Sequence, residues 1–390
     1  MMSQPTAVDA VLIFLYGIAV FSIAFSLLAA LLAPSILKKR KSRTDFYPPV
    51  TILKPLKGDE PGLAENLASF CSLDYSLFQI ILAIENPDDP ATPIARKIKE
   101  KFPEKDIEIV FSQGNSLEGP NPKINNVSSA QPFIKYPLLM MADSDVRVQK
   151  DFLKRMVDPL SDPQIGLVTS FYQGSQSRKF WPTMEALSIN AYFLPQAMAA
   201  YSFGMRFAMG AAMLIRKDVF EKIGGFEYLS RHLADDFVLG EAVKALGLQI
   251  AAASCLVECV TEDSGFLKYL KHQIRWAHTI RTCRASGYLG LLFLHGFSLL
   301  ILSLFLFGPS SNALMLMTAV VLSKFLAQQR ILSASGEKPN WRSFFLLPLN
   351  EIIIFFAWTY GWKNQSVSWR GETYSFPETV DAPALVAAER

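Results

Sequence analysis

Residues 11–33 run for 23 positions without a charged side chain. As a helix that run is about 35 Å long, enough to cross the hydrocarbon core of a bilayer. Lys38-Lys39-Arg40-Lys41-Ser42-Arg43 follows at once. By the positive-inside rule this cluster marks the cytosolic end and leaves the N-terminus outside. A cleaved leader would carry its basic residues ahead of a shorter apolar core; here Asp9 precedes the run and the basic residues follow it, so the segment reads as an anchor. With 51% hydrophobic residues in 390, the chain is more apolar than a soluble enzyme needs. Its length leaves room for a catalytic domain of about 200–250 residues beside the membrane elements.

Three more apolar stretches crowd the last third, at 287–308, 312–327 and 344–362. The first reads as a clear span. The second is short and carries Lys324; the third contains Pro348, Asn350 and Glu351. Polar groups inside a membrane are costly unless they face protein or a water-filled cavity. Glu351 is therefore expected to line a lipid-entry groove or to sit on a helix lying shallow in the interface. If all three stretches span, the tail with Trp369-Arg370-Gly371 is outside; if one is re-entrant, it is cytosolic.

Between anchor and helical end, short apolar runs alternate with amphipathic stretches, the pattern of an α/β sheet with helices on both faces. Strands are expected at 50–53, 79–85, 107–111 and 138–142, with helices at 63–70 and 94–101. The first strand is expected to stop at Lys54-Pro55-Leu56-Lys57-Gly58, and the second at Asn86-Pro87-Asp88-Asp89-Pro90. The fourth ends in Asp143-Ser144-Asp145. Strand residues i and i+2 point the same way, so the two carboxylates converge as hard oxygen ligands for one divalent cation, Mg²⁺ or Mn²⁺, whose shell substrate phosphates complete. Ligands of open α/β sheets bind outside the carboxyl ends of strands, so the loops with Asp89 and Asp143 share one crevice.

Asn121-Pro122-Lys123-Ile124-Asn125-Asn126 opens a helix before the fourth strand. Lys123 is placed to reach a diphosphate, and the free amides of a helix start favour an anion. A plain Asn-Pro turn and cap accounts for the same residues. Leu233-Ala234-Asp235-Asp236-Phe237 leads into another helix, ending near Leu246-Gly247. Acids in a first turn are often only caps. A sugar-transfer base, however, must be a carboxylate beside an acceptor hydroxyl and opposite the leaving phosphate; Asp236 is the first choice, Asp235 the second. In the amphipathic stretch 266–284, Lys268, Lys271, His272, Arg275 and His278 fall on one face of a helix and Phe266, Leu270, Ile274, Ala277 and Ile280 on the other. That division suits a membrane surface. Arg275 suits the charge of a departing nucleoside diphosphate, and Trp276 offers a flat wall to a sugar or acceptor.

Net charge of +3 is too small to imply a nucleic-acid partner. The four cysteines are scattered, and Cys255 and Cys259 lack a second ligand pair, so free thiols are expected rather than a metal site. There is no internal repeat and no low-complexity tract.

Taken in order, these motifs resemble those of the ceramide glucosyltransferase family of membrane glycosyltransferases. The segments at 54–58, 88–90, 121–126, Asp143-Ser144, Arg216-Lys217-Asp218-Val219, 234–236, Arg275-Trp276 and Ser368-Trp369-Arg370 carry the resemblance, over about 85% of the chain. It implies a GT-A-like nucleotide-diphospho-sugar transferase fold, cytosolic use of a UDP-sugar donor, and an amphipathic lipid acceptor. It also implies a donor site with Lys54, Pro55, Asp89, Lys123 and Asp143, a metal on Asp143 and Asp145, and a catalytic set of Asp236, Arg275 and Trp276. The chain departs from the family at His272, where Gln or Arg is usual, and at 191–195, where animal members carry a histidine. In these features it is similar to a bacterial branch that puts N-acetylglucosamine on the hopanoid bacteriohopanetetrol. The expected organisation is an anchor at 11–33, a cytosolic catalytic domain at 45–262, an interfacial helix at 264–286, membrane helices at 287–362 and a tail at 363–390, all in a bacterial inner membrane. A processive polysaccharide synthase shares the acidic and Arg-Trp motifs but needs more spans; a non-catalytic membrane scaffold has no use for the full set of carboxylates.

Overall fold

The computed structural model describes residues 6–38, 46–113, 117, 119–261, 265–338 and 340–363, with the backbone of 366–369 and 372–375. Most of the basic cluster after the anchor, and the side chains of the Trp369-Arg370 motif, lie outside the described residues. The chain forms two units, one from 36–175 with 204–262 and one from 1–35, 176–203 and 263–378.

The first unit is built on one mixed eight-stranded sheet: β1 Val50–Leu56, β2 Phe78–Ile84, β3 Asp106–Phe111, β4 Leu138–Ala142, β5 Val146–Arg147, β6 Ile165–Gly174, β7 Ala212–Arg216 and β8 Gln249–Cys259. Their order is β3-β2-β1-β4-β7-β6-β8-β5. β1 to β4 run parallel, β7 pairs antiparallel with both β4 and β6, and β6 pairs parallel with β8. Alternate side chains feed two cores. Ile52, Ile80, Leu82, Met140 and Leu214 pack under helices Leu63–Cys71, Ala91–Lys101 and Phe152–Val157. Leu53, Ile81, Ala83, Met141 and Met213 pack under Pro122–Ser128, Lys217–Ile223, Gly225–Ser230 and Asp235–Ala245. Burial on both faces is why β4 reads as an unbroken apolar run, and β2 as one after Gln79.

One strand differs from expectation. β1 does not stop before Lys54 but continues through Leu56, paired with β2 along its whole length. Its pairing with β4 ends at Leu53. Beyond that point one side of the strand has no ladder, which is where a proline is tolerated.

The second unit is helical. Ala7–Leu37, Ser311–Ala334 and Arg342–Tyr360 are long and apolar enough to cross a membrane. The stretch expected as a clear span at 287–308 is instead broken: Ala285–Leu294 and Gly296–Phe307 meet at 64°, and count as a fourth span only if taken together. The break is packed, not loose. A Cβ on Gly296 would lie 2.8 Å from Ala19 Cα, so glycine permits backbone-close contact with the N-terminal helix. Glu351 lines no groove: it is buried and paired with Lys324. The two polar residues that made their helices look doubtful as spans thus satisfy each other. Helix Gly265–Cys283 also departs from its wheel. Tyr269, Gln273 and Ala277 form the buried stripe, and His278 is buried with them instead of joining the basic face.

Candidate active site

The turn that ends β4 has each of its carbonyls held by a different element. Lys54 Nζ donates to the Asp143 carbonyl, Asn66 Nδ2 to that of Ser144 at 3.2 Å, and the Val260 amide to that of Asp145 at 2.9 Å. Arg147 Nε in turn donates to Asn66 Oδ1 at 3.2 Å. With its backbone fixed, the turn presents Asp143 and Asp145 without needing order from a ligand. Lys54 is fully buried over the Phe70 ring, 4.0 Å from its centroid. Burial pulls its ammonium down to about 8 against the opposing pull of Asp143, Asp145 and Glu60. The structure thus makes Lys54 a brace of the acidic turn.

Lys123 enters from the other side. Asn121 caps helix Pro122–Ser128, its Oδ1 accepting the Ile124 amide at 3.1 Å. Its Nδ2 donates to the His232 carbonyl at 2.8 Å. This ties the start of the helix to the loop before Asp235. Lys123 Nζ then lies 2.8 Å from Asp143 Oδ1 and 3.3 Å from Asp235 Oδ2. Burial opposes its charge, but Asp143, Asp235 and Asp236 outweigh it and hold the ammonium above the usual lysine range. The helix has seven residues and Asn121 takes its Ile124 amide, so the expected Asn-Pro cap is present and Lys123 is the charged side chain this element brings to the site.

Asp236 stands at the start of helix Asp235–Ala245. Its Oδ2 accepts the Gly210 amide at 2.9 Å and its Oδ1 the Phe237 amide at 2.8 Å. Burial, then the adjacent Asp235 carboxylate, push its carboxyl up to about 6, with Lys123 and the two amides working in the opposite direction. Asp89 is nearly buried and spends Oδ1 on the amides of Gly58 and Ala91, both at 2.8 Å. It thereby fixes the turn beyond Pro55 to the end of β2. Asn126 Nδ2 joins the same edges, donating to the carbonyls of Leu56 and Ala83 at 3.2 and 2.9 Å.

Asp143, Asp145, Lys54, Lys123, Asp235 and Asp236 are thus gathered within the sheet unit, while Arg275 and Trp276 belong to the helical one. There, on helix Gly265–Cys283, Trp276 packs its ring 4.9 Å from His272 and 5.8 Å from Phe193. His272 Nδ1 is hydrogen-bonded to Glu185 Oε1, which also accepts from Gln273 Nε2 at 3.4 Å. Asn66, Gly210, Val260 and Glu185 were missed by sequence reasoning. Asn66 and Glu185 sit in helices whose pattern signals only packing, and the Gly210 and Val260 contributions are backbone amides.

Among the described residues, no three His, Cys, Asp or Glu side chains form a closed metal site. Asp143 and Asp145 offer two hard oxygen donors, a set that fits Mg²⁺ or Mn²⁺ with phosphate and water filling the other positions. The electrostatics agree. Burial, then Asp143 and Glu60, push the Asp145 carboxyl up to about 7, a cost that a nearby cation relieves.

Residues 11–379 match Glycosyl transferase family 21. Ceramide glucosyltransferase 1 of Caenorhabditis elegans is 24% identical over 208 residues, 53% of this chain and 44% of the relative. A ceramide glucosyltransferase of Candida albicans is 35% identical over 127 residues, 30% of this chain and 23% of the relative. The chain therefore spans less than half the length of these curated relatives. The mannosyltransferase PcManGT from Pyrobaculum calidifontis, in complex with GDP-Man and Mn²⁺, is similar in structure with a TM-score of 0.51, at 15% identity, over 91% of this chain and 99% of that one. At that identity the likeness establishes the fold alone.

Proposed function

Because the chain belongs to glycosyl transferase family 21 and has a GT-A-like α/β fold with candidate membrane helices, we propose that it moves a hexose from a UDP-sugar to a hydroxyl of an amphipathic membrane lipid, inverting the anomeric centre. The observation that carries this reading is the braced acidic turn at 143–145, with Lys123 bridging Asp143 to the acidic pair that contains Asp236.

In this reading Asp236 accepts the proton of the acceptor hydroxyl as that oxygen bonds to the sugar C1 and the bond from C1 to the diphosphate breaks. Its two amide donors hold the carboxylate in place, and a carboxyl near 6 is ionised at neutral pH. Asp143 and Asp145 hold Mg²⁺ or Mn²⁺, which when bound neutralises diphosphate charge. Lys123 meets the same diphosphate, and Arg275 is assigned to the leaving UDP on its Arg-Trp motif, with Trp276 as an aromatic wall for sugar or acceptor. Lys54, Pro55 and Asp89 act on the donor by shaping the edge it binds.

The donor is read as UDP-glucose or UDP-N-acetylglucosamine, used on the cytosolic side of a bacterial inner membrane. The curated relatives are ceramide glucosyltransferases; His272 and the segment 191–195 favour bacteriohopanetetrol as acceptor. Purified protein in detergent is given each UDP-sugar with each lipid, and products are identified by mass spectrometry. A singly glycosylated lipid with release of UDP is the expected result. A hexosyl-ceramide alone would overturn the hopanoid acceptor, and no lipid-linked sugar from any pairing would overturn the reading itself.

A further inference from the structure

The acidic end of β4 already has a cation, and it is Lys123. Its ammonium lies 2.8 Å from Asp143 Oδ1 and 3.3 Å from Asp235 Oδ2, with the side chain 13% exposed. The placement is built into the fold rather than adopted at the surface. Pro122 and the Asn121 cap fix the start of its helix, and Asn121 Nδ2 is itself tied to the His232 carbonyl and lies 3.5 Å from Asp235 Oδ1.

We propose that Lys123 is an internal counter-cation that makes divalent-metal binding conditional on a nucleoside diphosphate: the bare ion is refused, and the ion enters together with a diphosphate that takes Lys123 over. The proposal rests on the assignment of Asp143 and Asp145 to the metal made above. An ion held by Asp143 would share one carboxylate with the Lys123 ammonium, which lies 2.8 Å from Oδ1. Like charges that close repel strongly in a partly buried place, where water screens them poorly. Moving Lys123 away without a new partner leaves its ammonium and the Asp235 carboxylate uncompensated. A diphosphate removes both obstacles, since its oxygens complete the shell of the ion and accept the lysine's hydrogen bonds. The ion and the nucleotide should therefore bind with positive coupling, part of it from their direct contact and part from the release of Lys123 from Asp143.

The test is Mn²⁺ binding to the full chain in detergent, followed by electron paramagnetic resonance with and without UDP, for wild type, Lys123→Gln and Lys123→Arg. Wild type should bind Mn²⁺ at least about tenfold more tightly with UDP than without it. Lys123→Gln should bind Mn²⁺ alone at least about tenfold more tightly than wild type and show a correspondingly smaller coupling, while Lys123→Arg, which keeps the charge, should follow wild type. Wild-type affinity for Mn²⁺ that is the same with and without UDP would overturn the proposal, even if the Gln variant does not fold. So would a folded Lys123→Gln that binds Mn²⁺ alone no better than wild type. Failure of wild type to bind UDP under any metal condition is a separate result: it removes the assignment of the donor site and the proposal with it.

Discussion

Lys324 and Glu351 form an ion pair that the helical unit cannot spare from one side only. Lys324, on Ser311–Ala334, lies 2.5 Å from Glu351 on Arg342–Tyr360, and their side chains are 5% and 1% exposed. Lys324 Nζ also donates to the Leu294 carbonyl at 3.0 Å, and Ser22 Oγ reaches the same oxygen at 3.3 Å. Leu294 is the last residue before the 64° break, so the lysine satisfies a carbonyl that the broken helix leaves without an intrahelical partner. Removing either partner strands the other charge, which costs about 3–5 kcal/mol. Lys324→Met or Glu351→Met should each lower the melting temperature in detergent by roughly 6–20 °C, taking about 2–4 °C per kcal/mol.

The double variant Lys324→Met/Glu351→Met carries no stranded charge. Its remaining loss is the hydrogen bond at Leu294, worth about 1 kcal/mol and partly covered by Ser22. It should therefore recover most of the loss, where simple addition of the single variants would give about 6–10 kcal/mol. If the two singles melt like wild type, or the double loses the sum of both, the pair is not the coupled element described and the argument fails.

Other outcomes follow from the site. Asp236→Asn should fold and lose a factor of about 10²–10⁴ in turnover, and wild-type kcat/KM should rise with pH through about 6 and then level, because the base works only when ionised; a profile flat from 5 to 8 would remove Asp236 from that role. Excess chelator should abolish UDP binding while shifting the melting temperature little, measured by calorimetry on one sample with and without Mn²⁺. Asn121→Ala removes a cap and the tie to His232, so it should cost about 1 kcal/mol by denaturant unfolding, and should weaken UDP binding beyond that; unchanged affinity would show that Lys123 does not depend on its cap.

Much of the fold could be read from one-dimensional pattern. β4 begins and ends where its apolar run does, because a strand buried on both faces has no reason to alternate and its end is marked by the first carboxylate. β1 was read three residues short because Lys54 and Pro55 look like loop residues. Only the register shows that the ladder to β4 has already stopped when Pro55 arrives, and that Lys54 has a carbonyl and an aromatic ring to receive it. The break in the stretch at 287–308 was invisible for the same reason. No proline marks it, and the features that stabilise it, Ala19, Ser22 and Lys324, come from other helices.

Charge is where reading along the chain gives least. A lone Lys324 and a lone Glu351 each argue against a span, yet together they satisfy each other, and nothing within either helix signals that the partner stands 27 residues away. The same holds at the end of β4. Asp143, Asp235 and Asp236 can be picked out as acids at element boundaries, but whether such an acid is a cap, a ligand or a base depends on what faces it. Asp236 is tied down by the Gly210 amide, Asp143 is balanced by Lys123, and the turn between Asp143 and Asp145 is held by Asn66, Val260 and Lys54. Each of those partners is an ordinary residue in its own segment, and becomes part of a site only when the sheet order β2-β1-β4-β7 brings the segments to one edge. A motif of single residues therefore identifies the chemistry available, while the roles are set by the uncharged and backbone groups that decide which way each charge points.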